Sequence, residues 1–240
     1  MYRAAMVKIP AQRGMLFTHA YSASPLCSPT RASILTGQSP ARIGITAPVC
    51  HVPEVLLEAS AEATAPPDCK STVCRSATRL ATDYFTLAEA LKAAGYATGH
   101  FGKWHLGAEP YWPQHQGFEV NVGGWSAGHP KSYFSPYQNP MLADGPAGEY
   151  LTDRLTDEAI GLIRRRDGRP FFLNLWYYQV HVPIQGKPEY VRKYEAKAAA
   201  MGLDGREPFE VGEPFPCEHK KDQRVTRRLF QGDPGYAAMV

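Results

Sequence analysis

The sequence predicts an α/β fold, in which a mainly parallel sheet is sandwiched by helices. Amphipathic helical segments alternate along the chain with short apolar runs of strand length. One of these runs, at residues 170–178, is typical of a central strand that is buried on both faces. Polar residues follow the candidate strands, and in parallel sheets binding sites lie beyond the carboxyl ends of the strands. We therefore expect the functional site at that edge of the sheet.

The first third of the chain predicts one strand, one helix and a long loop. The strand is expected at 15–21, and a short helix at 28–37 ends at Gly37. Residues 46–83 are rich in Pro, Ala, Ser, Thr and Cys and lack clean periodicity, which predicts a long surface loop.

The next segment has sharper signals. Thr86 and Glu89 have the spacing of a capping box, an apolar stripe follows on one helix face, and Gly95 stands where such a helix ends. Residues 96–105 then predict a strand that runs into a loop.

The rest of the chain continues this alternation. Residues 109–148 are rich in Gly, Pro and aromatic residues and predict a second long loop. Amphipathic helices are predicted at 149–166 and 187–202. The basic stretch at 219–228 predicts a solvated helix face or loop, and residues 234–240 predict the first turn of a helix.

Composition limits the classes of function. The chain has 240 residues, of which 44% are hydrophobic, and a formal net charge of only +3, so it has a real core and no basic character that favours nucleic acid. No segment approaches the roughly 18 apolar residues of a membrane span, and the N-terminus lacks the features of a signal peptide. The five cysteines cannot all pair within the chain; Cys69 and Cys74 could close a small disulfide loop, and their spacing does not favour zinc.

Cys27 and Arg31 form the first candidate site. Pro29 fits the first turn of a helix, which places Cys27 at or just before a helix N-terminus, where free N–H groups favour an anion. Arg31 can share a face with Cys27, and its guanidinium suits a tetrahedral oxyanion. The alternative is a buried structural cysteine beside a surface arginine.

Two further positions carry candidate polar groups. Lys103 and His105 are two residues apart after a strand, so they can point to the same side and offer an anion a fixed charge and a proton donor. His181 precedes Pro183 where the chain leaves the apolar run, and a histidine there could protonate a leaving alcohol. The alternatives are a solvent-exposed lysine and structural histidines.

These segments resemble the signature sequences of the type I sulfatases. The string "CSPTR" at 27–31, followed by "LTG" at 35–37, is similar to the C-x-P-S/T-R…T-G motif. The string "GYATGHFGKWH" at 95–105 is similar to the second motif, G-Y-x-T-x-x-x-G-K-x-H, and His181 before a proline resembles a third sulfatase position. The resemblance runs from about residue 14 to the end of the chain.

The resemblance implies an alkaline phosphatase-like fold, with 1–240 as part of a sulfatase catalytic domain, and hydrolysis of sulfate esters of a carbohydrate or an aryl alcohol. It implies that a maturation enzyme oxidises Cys27 to formylglycine, whose aldehyde hydrate attacks sulfur. Lys103 is implied to contact formylglycine and sulfate, His105 to hydrogen-bond the formylglycine hydroxyl, and His181 to bind sulfate and help the leaving group. Arg31 is expected beside them.

The substrate side is less closely defined by the sequence. His129 or Lys131 is expected to face the sugar or aryl part of the substrate, with Ser126 as a polar wall residue. Aromatic residues that could stack on this part are Trp104, Trp112, Trp125, Tyr133, Phe134 and Tyr137.

The resemblance also implies a divalent cation, usually Ca²⁺, with four oxygen ligands besides the formylglycine. Two are adjacent aspartates before the Cys motif, and two are an Asp-Asn pair after the His-x-P segment; this sequence contains neither pair. Of the metal ligands only Cys27, as formylglycine, is therefore identified. We therefore expect this chain to be the middle part of a sulfatase, without the C-terminal subdomain. Such a chain should bind calcium poorly and turn over substrate slowly or not at all.

Two other interpretations stay open. One is a catalytically impaired sulfatase fragment or pseudoenzyme that keeps the anion pocket and lacks the calcium ligands. The other is a phosphodiesterase or phosphonate hydrolase of the same superfamily, although the pair of Lys103 and His105 argues against its two-metal version. The expected partners are a sulfated small molecule or glycan and the maturation enzyme, with no nucleic acid and no membrane span. A periplasmic or secreted location is implied by the resemblance alone.

Overall fold

The chain folds as an alternation of helices and strands. The computed structural model describes residues 14–15, 17–67, 70–165, 168–203, 205–215, 220 and 222–240. In chain order, the elements are α1 (Cys27–Thr36), α2 (Pro40–Ile43), β1 (Ser60–Ala61), β2 (Cys74–Arg75), α3 (Leu87–Ala93), β3 (Ala97–Gly102), a 3-10 helix (Pro113–Gln116), β4 (Val120–Val122), α4 (Leu151–Arg164), β5 (Phe171–Trp176), α5 (Pro188–Ala200), β6 (Phe209–Pro214), β7 (Arg224–Arg228) and α6 (Pro234–Met239). Within these ranges, no helix has the length and apolar character to cross a membrane.

A three-stranded parallel sheet, in the order β4–β3–β5, carries the site. Strand β3 pairs with β5 along its whole length, from Ala97 opposite Phe171 to Gly102 opposite Trp176. The shorter β4, which interrupts the loop predicted at 109–148, pairs with the other edge of β3. The predicted α/β class with a parallel sheet is confirmed. Two antiparallel pairs, β1 with β2 and β6 with β7, lie outside this sheet.

Helices cover both faces of the sheet, because successive side chains of a strand point to opposite sides. On one face Gly99 lies so close to α4 that a Cβ atom there would come within 2.7 Å of Leu162. On the other face the His100 ring packs edge-on against three aromatic rings, those of Trp104, Phe118 and Trp176. Helices α1 and α3 extend this second cluster with their buried residues Ala32, Leu35 and Ala88.

The helix termini follow the local signals in the sequence. At the start of α3, the Thr86 side chain accepts a hydrogen bond from the Glu89 backbone, and the Glu89 carboxylate accepts one from the Thr86 backbone. The predicted capping box is therefore confirmed. Helix α1 ends at Gly37, whose φ of 68° lies in the left-handed region that favours glycine.

Three predictions of local structure are wrong. The described residues of 15–21 form no strand, because no neighbouring strand pairs with them. Strand β5 is not central in the described sheet: it pairs with β3 alone, and Phe171 is 47% exposed. Within 219–228, residues Arg224–Arg228 form strand β7 because β6 offers them a pairing partner. Residues 219 and 221, like Cys69 of the predicted disulfide loop, lie outside the described residues.

Candidate active site

Cys27 is the first residue of α1 and is half-buried beside the end of β3. Leu26, the residue before the helix, has no side chain that caps the helix N-terminus. Pro29 in the first turn has no N–H to satisfy. Lys103 lies close enough to Cys27 for the negative charge of the thiolate to raise the pKa of the lysine, which opposes the lowering by burial and by Arg31. The thiol therefore lies between a helix N-terminus and a lysine, both of which favour negative charge.

Arg31 is a half-buried arginine that joins α1 to the end of β3. Its Nη1 atom donates a hydrogen bond of 2.8 Å to the backbone carbonyl of Lys103. Its guanidinium carbon lies 4.7 Å from the ring centroid of Trp176 at the end of β5. Burial lowers the pKa of Arg31 to about 10. The alternative interpretation of a surface arginine does not describe this residue.

Lys103 and His105 follow β3 directly, and each is only 3% exposed. The Lys103 backbone N–H donates to the Trp176 carbonyl at 2.7 Å, which extends the pairing of β3 and β5 by one residue. Burial, and next the charge of Arg31, lower the pKa of Lys103 to about 8. Burial, and next the charge of Lys103, lower the pKa of His105 to about 3. The alternative of a solvent-exposed lysine therefore does not hold.

His181 lies at the outer side of the site and is exposed. Its ring stacks on that of His129, with centroids 5.7 Å apart and ring planes 12° apart. Burial of part of the ring, and next the charges of Lys103, His129 and Arg31, lower the pKa of His181. Of the other polar candidates, Lys131 is exposed and Ser126 is half-buried.

For three of the six aromatic residues expected to stack on substrate, the prediction is wrong. Trp104, Tyr133 and Tyr137 are at most 1% exposed, so they are core residues. The Tyr133 hydroxyl donates a hydrogen bond of 3.0 Å to the His181 carbonyl, and this contact fixes the backbone of a site residue instead. Trp112, Trp125 and Phe134 are half-buried and keep accessible surface.

The predicted site residues bring basic groups together, and no carboxylate balances them among the described residues. The charged groups that shift the pKa values of Arg31, Lys103, His105 and His181 are Cys27, Tyr178, His51, His129 and one another. Within the described part of the chain, no Asp or Glu contributes to these shifts. Burial and mutual repulsion both disfavour the charged forms, so a bound anion would stabilise them all. The electrostatic character of the arrangement therefore favours an anion.

The side chains around Cys27 do not fit calcium. Hard cations take several carboxylate, carbonyl or water oxygens. Residues 14–240, outside the undescribed positions, contain no group of three or more His, Cys, Asp or Glu side chains that could hold a metal ion. The charged groups that interact with the Cys27 side chain include Arg31 and Lys103, which are basic.

One close neighbour of the site was not identified from the sequence. The Nδ1 atom of His51 lies 3.0 Å from the Nε2 atom of His105. His51 belongs to the loop at 46–83, which has no periodicity, and its partner comes 54 residues later in the chain. The single local signal is that a histidine directly follows a cysteine, and this does not indicate a partner.

Comparisons with known proteins bear on the fold and the family. A protein-family model described as Sulfatase matches residues 3–209. The N-acetylgalactosamine-6-sulfatase of Rattus norvegicus is 32% identical over 205 residues, covering 75% of this chain and 35% of the relative. This chain thus spans about a third of that relative's length.

Two solved structures resemble this chain in fold. The crystal structure of Ps i-CgsB has a TM-score of 0.59 and 23% identity, covering 93% of this chain and 43% of that one. The structure of BT4656 in complex with its substrate D-glucosamine-2-N,6-O-disulfate has a TM-score of 0.54 and 23% identity, covering 82% of this chain and 35% of that one. At these identities, the two matches support the fold alone.

Proposed function

The chain belongs to the sulfatase family, and from this membership we propose that it supplies the nucleophile and the sulfate-binding residues of a sulfate-ester hydrolase. One observation carries the proposal. The charge of Cys27 acts on both Lys103 and Arg31, and the Arg31 guanidinium donates a hydrogen bond to the backbone carbonyl of the same lysine. Two cations are therefore held beside a cysteine at a helix N-terminus, which is where a nucleophile attacking an anionic ester needs positive charge.

In the proposed reaction, formylglycine made from Cys27 supplies a hydrated aldehyde, one hydroxyl of which attacks sulfur while the other later expels sulfate. Lys103 and Arg31 stabilise the negative charge on the sulfate oxygens through charge-assisted hydrogen bonds. His105 is buried, and its Nδ1 atom has no hydrogen-bond partner among the described residues, so this atom is available to a hydroxyl of the nucleophile.

His181 is the proposed donor of a proton to the leaving alcohol oxygen. Its exposed position at the outer side of the site suits contact with the part of the substrate beyond the sulfate. A bound sulfate opposes the repulsion from Lys103 and Arg31 that lowers the pKa of this histidine. Substrate binding therefore favours the protonated imidazole that general acid catalysis needs.

The proposed substrate is a sulfated carbohydrate. The rat relative is named for N-acetylgalactosamine 6-sulfate, and BT4656 was solved with a sulfated glucosamine. In this chain, Trp112, Trp125 and Phe134 keep accessible surface for a sugar ring. By family analogy we also propose a periplasmic or secreted location.

Maturation and turnover test this proposal separately. The chain is produced with a formylglycine-generating enzyme, and peptides covering residues 25–31 are measured by mass spectrometry, with Cys27→Ala as the control. Conversion of the thiol to the aldehyde lowers the peptide mass by about 18 Da. An unmodified thiol contradicts the proposed nucleophile. Conversion without hydrolysis of an aryl sulfate or a 6-sulfated amino sugar supports the impaired-fragment alternative.

A further inference from the structure

The backbone of His105 is held in an unusual conformation from two sides. Its φ of 56° is in the left-handed region, which is uncommon for a residue other than glycine. The backbone N–H donates to the Trp125 carbonyl at 3.1 Å, and the backbone carbonyl accepts a hydrogen bond of 2.8 Å from the Ser28 hydroxyl. These contacts fix the position from which the imidazole projects, but they do not fix the rotation of the ring or the nitrogen that carries its proton.

His51 supplies the contact that the His105 ring lacks. The 3.0 Å separation of His51 Nδ1 and His105 Nε2 is a hydrogen bond, in which one nitrogen donates and the other accepts. The proton positions of the two rings are therefore coupled. If His51 donates, His105 carries its proton on Nδ1; if His51 accepts, Nδ1 of His105 has a free lone pair.

The segment around His51 is anchored on both sides, although His51 itself is exposed. Cys50 is completely buried in the hydrophobic cluster that also contains Leu35 and Trp104. After His51, the buried Arg79 guanidinium donates a hydrogen bond of 2.6 Å to the Val52 carbonyl.

The Arg79 guanidinium also hydrogen-bonds with a second stretch of the loop. Its second terminal nitrogen donates to the Thr78 carbonyl at 2.6 Å, so that the guanidinium spans two stretches of chain. Burial of an arginine is costly unless its donors find partners; both terminal nitrogens of Arg79 do, and its Nε atom has none among the described residues. Its place beneath the His51 segment shows that this part of the loop has a defined conformation, in which the His51 ring can reach His105.

We propose that His51 is a positioning residue, which orients the His105 ring through Nε2 and holds that ring in a single tautomer. The proposal rests on the sulfatase function proposed above for its catalytic consequence. The hydrogen bond between the two rings does not depend on that function. The competing interpretation is a surface contact that contributes only a small amount of stability.

The test uses the full chain labelled with ¹⁵N-histidine, in which two-bond ¹H–¹⁵N spectra report the tautomer of His105, assigned with His105→Gln. His51→Asn keeps a polar atom near the place of Nδ1, whereas His51→Gln places it near the position of Nε2. We expect one tautomer of His105 in the wild type and in His51→Asn, and a mixture in His51→Ala and His51→Gln. An unchanged His105 spectrum in His51→Ala overturns the proposal, whether or not the chain is active.

Kinetics provide a second readout on the matured protein. For His51→Ala we expect kcat to fall about tenfold with KM nearly unchanged, since His105 acts on the nucleophile and orientation contributes to such catalysis. His51→Asn should recover most of this loss, and His51→Gln should not. Equal activity in all three variants, or a loss that follows the melting temperature alone, contradicts a positioning role.

Discussion

The Arg31 guanidinium donates a hydrogen bond of 2.8 Å to the Lys103 carbonyl while lying 4.7 Å from the ring centroid of Trp176. This single side chain contacts the end of β3 and the end of β5 from helix α1. It therefore fixes the position of the second cation, Lys103, relative to the helix N-terminus. A planar, five-donor guanidinium is well suited to making both contacts at once.

Sulfate should stabilise this chain beyond the general effect of salt. An anion that binds only the native state raises the melting temperature by mass action. We expect a higher melting temperature in sodium sulfate than in sodium chloride of equal ionic strength. Most of the difference should disappear in Arg31→Lys and in Lys103→Met. The exposed Lys131→Met variant controls for charge and for the general effect of sulfate on burial. A sulfate effect of equal size in Lys103→Met would show that the anion binds elsewhere.

Gly128→Ala should impair the site without unfolding the chain. A Cβ atom at Gly128 would lie 2.6 Å from Cε1 and 2.8 Å from Nδ1 of the His105 ring, so the ring must move. We expect at least a tenfold loss of turnover in the matured protein, since small displacements of catalytic groups are costly. Turnover equal to that of the wild type would mean that the ring can shift without consequence.

Gly161→Ala is the matched control for that variant. A Cβ atom at Gly161, within α4, meets no other atom within 4 Å. Alanine is the better helix former, so we expect stabilisation by about 0.5–1 kcal/mol in urea unfolding, with turnover unchanged.

Acid should destabilise the fold through His100. In the neutral ring Nε2–H donates to the Gly102 carbonyl at 3.1 Å, and Nδ1 accepts from Asn174 at 2.9 Å. Burial, and then the charge of Arg31, lower the pKa of His100 to about 3. Since the unfolded chain has a histidine pKa of about 6.5, it binds the proton first. Stability is thus full above about pH 6.5 and is lost as the pH falls toward 3, by at most about 1.4 kcal/mol per pH unit.

Urea unfolding between pH 7 and pH 4 measures this effect. We expect His100→Gln to be less stable at pH 7 and to lose less stability on acidification, because one proton-linked group is gone. His19→Gln, which replaces an exposed histidine, serves as the control and should follow the wild type. If the free energy of unfolding falls equally steeply with pH in His100→Gln and in the wild type, the prediction is contradicted.

Calcium binding by this 240-residue chain should be weak. The basic side chains of Arg31 and Lys103 lie near Cys27 and repel a metal ion, and hard cations need several oxygen ligands. Titration calorimetry should give a dissociation constant no tighter than about 1 mM, which is the weak end of protein calcium sites. EDTA should leave the melting temperature unchanged. Binding in the micromolar range would require a set of oxygen ligands that the sequence analysis did not find.

Local signals predicted much of the fold. The capping box at Thr86 and the terminal Gly37 act within a few residues of chain, and both are confirmed. Strand β7 was not predicted, because its stability comes from pairing with β6. A strand was wrongly predicted at 15–21, because no strand pairs with the described residues there. Such pairing is a tertiary property that periodicity does not encode.

The residues of the candidate site also fall into two groups, those that the sequence identified and those that it did not. The resemblance identified Cys27, Arg31, Lys103, His105 and His181, and the structure places Arg31 and Lys103 within electrostatic reach of Cys27. His51 and Arg79 were not identified. His51 contacts a side chain that is distant in sequence, and Arg79 contacts a backbone carbonyl. Both belong to a loop without periodicity, whose sequence predicts neither contact.

The outer edge of β5 has a consequence for handling the protein in solution. Among the described residues, this edge has no paired neighbour, and Phe171 at its start is 47% exposed. An open edge with a large apolar side chain is a template for strand addition by another copy of the chain. At high concentration, this 240-residue polypeptide should therefore self-associate along β5. A lysine in place of Phe171 should delay that aggregation and leave the arrangement of Cys27, Arg31 and Lys103 unchanged.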